Sequence, residues 1–292
     1  MKPNPLYTFV LRFILIALIP LQLYASSSVW KVTHQDQHLY LGGTVHLLAK
    51  DDYPLPKQFD RAYQQSSKVI LETDTSKMQQ PDIQQAMMLK AMYPKGVTIQ
   101  SKISSNTYQA LKAHCLSRGL DLEHLAQFKP GLLSVILTMT ELNKLNISSM
   151  GVDDHFSHKA KKQKRTMGYL ENLEDQLSLI ANMGKGQEDA FIQYTLEEIT
   201  QLESMFNELK SSWRLGDMAT LTKIAIQPFK KDFPILYKEL LVKRNNNWLP
   251  QIKDMLETKE VEFILVGALH MAGEDGLIQQ LKQFGYKVER LP

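Results

Sequence analysis

Two Gly-X-X-His units, Gly43-Thr44-Val45-His46 and Gly267-Ala268-Leu269-His270, stand near opposite ends of the chain. Each follows an apolar, β-branched run. Each therefore reads as a strand that ends, turns at a glycine and presents an imidazole. Two histidines delivered in the same way from distant parts of the chain predict one shared site. Imidazole is the commonest protein metal ligand and the commonest general base near neutral pH, so the expectation is a histidine-centred site that can hold a metal.

The pattern around these units predicts an α/β fold with a mixed or parallel central sheet, flanking helices and a large helical part. Val29–Val32 and His38–Gly42 alternate as a short hairpin that turns near Gln35-Asp36. Pro56 suits the first turn of a helix striped by Phe59, Ala62 and Tyr63. Lys68–Leu71 reads as a buried strand ending at Glu72, and Thr166–Leu170 as a strand ending at Glu171. The stretches between read as helices. One is marked by Ile83, Met87 and Leu89, and one runs over Tyr108–Arg118 to a stop at Gly119. A nearly all-apolar Leu132–Met139 predicts a buried helix, and Gly151 with Asp153 opens another. A long amphipathic helix carries Phe191, Ile192, Ile199, Leu202, Phe206 and Leu209 to an end near Trp213–Gly216. Two more carry Ile235, Leu240 and Leu241, then Trp248, Ile252, Met255 and Leu256. Val261–Val266, a glycine-punctuated loop, the helix of Leu277–Phe284 and Tyr286–Leu291 read as a βαβ unit, right-handed by default. Such units build parallel sheets, whose ligand sites lie beyond the carboxyl ends of the strands.

His46, Glu72, Glu171 and His270 each follow a predicted strand within a few residues, so they are expected to converge on one sheet edge. Two imidazoles and a carboxylate can hold a divalent ion and leave a coordination position open for water. The second carboxylate can take the water proton or orient a ligand. Glu171 before Asn172 can equally cap the following helix. Arg244-Asn245 has two readings. The plainer is a helix start, with Asn245 capping, Arg244 solvated and Trp248 packed inward. The other gives Arg244 a carboxylate to grip and Asn245 an oxyanion to stabilise. His34 and His38 fall in the hairpin and read as exposed. His114 and His124 sit among helical residues, and His155 and His158 share a helix face beside a lysine cluster. The chain has no His-Glu-X-X-His, no Gly-X-Ser-X-Gly and no phosphate-binding glycine loop.

Composition excludes little and bounds the class. With 43% hydrophobic and 22% charged residues, the chain can bury an ordinary core, and a net charge of +3 is too small to argue for nucleic acid. Lys159, Lys161, Lys162, Lys164 and Arg165 read as a solvated helix face. The single cysteine, Cys115, lies on an apolar helix face and reads as a buried thiol. Lys2 and Arg12 precede the apolar run Phe13–Leu21, and small residues Ala25–Ser28 follow. That order reads as a signal peptide over residues 1–25, with export to the periplasm or outside the cell. The run is short for a membrane span and contains Pro20.

The stretches Leu41–His46, Val69–Glu72, Gly151–Phe156, Tyr169–Leu177, Trp213–Asp217, Arg244-Asn245 and Val266–His270 together resemble the TraB/GumN family, whose relatives include the Tiki proteases. The chain is similar to a bacterial secreted GumN-type member over nearly everything after the signal. The resemblance implies one α/β domain over 26–292 with a helical insert roughly over 78–150 and 172–258. It implies a metal-dependent peptidase site with His46, Glu72 and His270 as ligands to a divalent transition ion, manganese, cobalt or zinc. Glu171, or Glu72 if it is not a ligand, would take the water proton, and Arg244 would position substrate or the charge of the tetrahedral intermediate. A peptide or small molecule would be the substrate. More distantly the pattern is similar to erythromycin esterase-like and haem-binding ChaN-like proteins, which gives two other expectations: iron or haem binding without turnover, and metal-independent esterase chemistry with His46 as base.

Overall fold

The computed structural model describes residues 27–292, so the predicted signal segment lies outside the described residues. The chain folds around strands β1 (Val29–His34), β2 (Gln37–Thr44), β3 (Leu47–Leu48), β4 (Lys68–Leu71), β5 (Ser149–Met150), β6 (Thr166–Tyr169), β7 (Glu262–Gly267) and β8 (Lys287–Arg290). Six of these form one sheet in the order β6-β4-β7-β2-β1-β8, while β3 and β5 pair separately. β6, β4, β7 and β2 run parallel, and β1 is antiparallel to both β2 and β8. The class is α/β with a mixed, mostly parallel sheet.

The sheet is buried on both faces, which is why its central strands read as continuous apolar runs rather than alternating ones. Tyr40, Val69, Leu71, Phe263 and Leu265 face one layer. That layer includes helix α1 (Lys57–Gln65), with Phe59 and Tyr63. The helices α2 (Pro81–Ala91), α3 (Ser105–Ser117) and α4 (Pro130–Lys144) belong to the helical part beside the sheet. Helix α5 (Val152–Lys162) returns to the first layer through Phe156. Next come α6 (Leu173–Asn182) and the long α7 (Glu188–Leu215), capped by Gly216 in the left-handed region at φ 62°. On the other face Leu39, Leu41, Ile70, Ile264 and Val266 pack against α8 (Lys243–Met255) and α9 (Leu277–Gln283) through Trp248, Ile252, Leu277 and Leu281.

Several local expectations need correction. α4 shows Val135 and Met139 to solvent, 36% exposed each, because only one of its faces meets α3, α6 and α7. Leu89 is 73% exposed on α2, whose only buried residue is Ala91. β7, α9 and β8 do follow one another, yet β2 and β1 lie between the two strands, so the connection spans the hairpin. Residues 218–255 form a nearly continuous helical run rather than two plain helices, with π turns at Thr222–Ile226 and Lys238–Val242.

Candidate active site

Four adjacent parallel strands deliver the four predicted residues to one place. Glu171 follows β6, Glu72 follows β4, His270 follows β7 and His46 follows β2. Gly267 marks the centre. A β-carbon there would stand 3.4 Å from Glu72 Oε1, 3.6 Å from His270 Cδ2 and 3.8 Å from His46 Nε2. The site is therefore assembled at the carboxyl edge of the sheet, where parallel α/β folds bind ligands.

The two Gly-X-X-His units do not deliver their histidines alike. The register sets Thr44, not Gly43, beside Gly267. After Thr44 the chain bends at His46 and runs on into β3, with Val152 N–H donating to Val45 O. Gly151 closes beneath it so tightly that a β-carbon would stand 2.3 Å from His46 O. His46 is left 66% exposed, its Nδ1 3.2 Å from Asp153 Oδ1. After Gly267 the chain instead coils into one helical turn, Ala268–Met271, and buries His270 at 4% exposure.

Asn245 fixes the state of His270. Its amide Nδ2 donates to His270 O and Asp275 O at 3.1 and 2.8 Å, so its Oδ1 faces His270 Nδ1 at 2.7 Å and accepts that proton. The lone pair is then on Nε2, which points into the site toward Arg244 Nη1 at 2.9 Å. Burial pushes the His270 imidazole down, outweighing the pull of Glu72, to a pKa of about 3. It is a neutral base at any ordinary pH. Burial alone would raise the Glu72 carboxyl, but the charges of Arg244 and His46 and the Gly267 N–H, 2.6 Å from Oε1, hold it well down, at about 2. His46 is shifted the other way: Asp153 raises its pKa, though water screens a side chain this exposed.

Arg244 is the cation of the site. It grips Glu171 through Nε and Nη2 at 3.1 and 2.7 Å and reaches Glu72 Oε2 at 2.5 Å. Its guanidinium lies over the Trp248 ring at 4.7 Å, and Trp248 Nε1 donates to Glu171 Oε2 at 3.1 Å. These contacts overturn the helix-start reading of Arg244-Asn245. Arg244 is 13% exposed and Asn245 1%, and both lie inside α8 rather than at a cap. The physical reason is the preceding π turn, in which Lys243 N–H bonds back five residues to Lys238 O and Arg244 Nη1 takes Leu240 O. Trp248 packs inward as expected, fully buried. Glu171 does not cap α6; its oxygens are taken by Arg244 and Trp248.

Asp153, Gln176 and Asn245 are the partners that reading by strand ends missed. Gln176 Nε2 donates to Glu72 Oε2 at 3.0 Å. All three come from helices, and helical spacing carries no mark of a side chain aimed at a sheet edge.

The donor set suits a divalent ion. It offers two imidazole nitrogens, a carboxylate held anionic, and an amide or carboxylate behind each histidine. The guanidinium stands in the way, since one lone pair on His270 Nε2 serves either Arg244 or a metal. As arranged, no cluster of three or more His, Cys, Asp or Glu side chains among the described residues is set to hold a metal.

Fold and site define an α/β protein with a histidine–carboxylate–arginine centre at the carboxyl edge of a parallel sheet. The chain belongs to the TraB/PrgY/gumN family, whose model matches residues 28–290. It is 24% identical over 249 residues to the uncharacterized protein YbaP of Escherichia coli K12, covering 85% of this chain and 89% of that one. It is 23% identical over 321 residues to metalloprotease TIKI1 of Xenopus tropicalis and 22% identical over 329 residues to human metalloprotease TIKI1. Those matches take in 91% and 94% of this chain but only 62% and 64% of the TIKI1 proteins. No solved structure matches it. The kinship is with a family that includes named metalloproteases, at a distance.

Proposed function

We propose that the protein is an exported, metal-dependent hydrolase acting on peptide bonds. The observation that carries this reading is the convergence of His46, Glu72 and His270 on the open space at Gly267, with Arg244 and Glu171 beside them. The naming of TIKI1 as a metalloprotease supports it. His46 Nε2, His270 Nε2 and a Glu72 oxygen would hold the ion, with Arg244 drawn back onto Glu171. The ion would supply Lewis acidity to the scissile carbonyl and to a water.

The chain's own residues divide the rest. Asn245 keeps His270 Nε2 unprotonated and aimed into the site. Glu171, with both oxygens engaged, is a holder of Arg244 rather than a free base. Arg244 is the group placed to meet negative charge on a substrate oxygen. The predicted signal segment supports export, and among the described residues no helix is long and apolar enough to cross a membrane. Neither the neutral-to-mild charge nor the site favours nucleic acid.

Peptide hydrolysis by the purified protein, with His46→Ala and His270→Ala beside it, tests the reading. Loss of turnover in both variants with unchanged circular dichroism is the expected result, and wild-type turnover in either contradicts it. A second reading rests on the His46–Asp153 contact, which orients an imidazole for metal-independent general-base catalysis. Turnover that survives chelation but is lost in Asp153→Asn would select it.

A further inference from the structure

A cavity of about 1020 Å³ opens beside the site, and Glu171 and Arg244 form its inner wall. Those two residues are also bonded to each other, and Arg244 reaches Glu72 and His270, so the cavity borders the proposed reaction centre across the Arg244–Glu171 pair. Leu170, Leu179, Phe233 and Leu236 give it an apolar lining. Phe233 is a fixed wall, its ring held edge-on by Phe191 and Tyr194 at 5.7 and 4.9 Å. Ile235 stands at the same wall with 71% of its surface in solvent.

The charges lining the cavity cancel. Glu171, Asp175 and Glu239 are balanced by Lys185, Lys243 and Arg244. Arg244 is committed to Glu171, and Lys243 to Glu239. Such a wall offers no net field to draw a phosphate or a polyanion. Its volume is at the top of the range of about 300–1,000 Å³ usual for small-molecule pockets, so it has room for a large side chain and the backbone that carries it. A second cavity of about 340 Å³, walled by Thr73, Asp74 and Tyr169, shares Leu170, Glu171 and Asn172 with the first. The tip of β6 is thus a ridge between two cavities, with the guanidinium of Arg244 beside it.

We infer that the larger cavity is a specificity subsite for a bulky apolar side chain, leucine- or phenylalanine-like, of an extended peptide whose chain crosses the Leu170–Asn172 ridge into the smaller cavity. This assignment rests on the hydrolase reading.

The test uses a set of end-blocked peptides that differ at one position, occupied by Phe, Leu, Ala, Lys or Glu. Cleavage and fluorescence-anisotropy binding are measured for the wild type, for Leu179→Glu and for Ile235→Glu. Ile235 is exposed enough that its variant keeps the fold even if Leu179→Glu does not. The wild type is expected to favour Phe or Leu over Ala by about tenfold or more in kcat/KM. That preference should shrink in Ile235→Glu and vanish in Leu179→Glu. Cleavage without side-chain preference, or with a preference that both variants retain, overturns the subsite and leaves the hydrolase reading standing. Binding with the apolar preference but no cleavage supports the subsite and overturns the hydrolase reading. Neither binding nor cleavage overturns both.

Discussion

A methyl group at Gly43 would stand 3.1 Å from Met271 Sδ and 3.2 Å from Ala268 Cα, whereas one at Gly267 would meet nothing closer than 3.4 Å. The two glycines that look equivalent in sequence therefore serve different ends. Gly43 lets β2 press against the turn that carries His270. Gly267 has an ordinary backbone, φ −50°, and keeps open the space between His46, Glu72 and His270. Gly43→Ala is expected to overpack and destabilise the fold by about 1–3 kcal/mol in urea unfolding. Gly267→Ala is expected to fold like the wild type and to lose ligand and substrate binding, because its methyl fills the centre of the site. The histidines and strand-end carboxylates were legible in the sequence because they end apolar β-branched runs. Asn245 was not, since a buried asparagine in a helix looks the same in sequence as one at a cap.

Helix α7 is tied to the sheet at its C-terminal end, where Arg290 of β8 donates to Leu215 O and Trp213 makes the buried link. The fully buried Trp213 donates Nε1–H to Gly43 O at 2.7 Å, and Ser28 Oγ donates to Trp213 O at 2.6 Å. Trp213→Phe keeps the aromatic packing against Phe59 but leaves a buried carbonyl without this donor. The expected cost is about 1–3 kcal/mol in chemical denaturation, with the largest gain in amide exchange in β2 just before His46. Equal exchange throughout the sheet would show that the indole N–H does not hold the strand. Strands were the most legible elements, because central parallel strands are short apolar runs bounded by polar residues. The π turn at Lys238–Val242 was not legible. It adds no residue type of its own, yet it turns Arg244, Asn245 and Trp248 inward together.

For the whole molecule, the site makes stability depend on pH. His270 has its pKa lowered from 6.5 to about 3 by folding, chiefly through burial. Below pH 6.5 the unfolded chain takes up a proton that the folded chain refuses, so stability falls as pH drops from 6.5 toward 3. Glu72 adds to the loss below its ordinary value of 4.5, as its folded pKa is about 2. The metal-free protein is expected to lose melting temperature steadily below pH 6.5, and His270→Gln to reduce the part of that slope above pH 4.5, leaving the shares of His38, His114 and His155, which burial also lowers. An identical slope in the variant would mean that His270 is not buried as a neutral base. The mixed α/β class followed from sequence in outline. The insertion of the β1–β2 hairpin between β7 and β8 did not, because strand pairing between distant segments leaves no periodic trace.

As proposed, His46, Glu72 and His270 would together hold one divalent ion, and elemental analysis of the purified protein is the test. Wild type and the His46→Ala/His270→Ala double variant are each reloaded with manganese, cobalt or zinc and desalted. About one equivalent of metal is expected in the wild type and none in the variant. No metal in the wild type with any of the three ions, or equal metal in the double variant, would rule out a metal site shared by these residues.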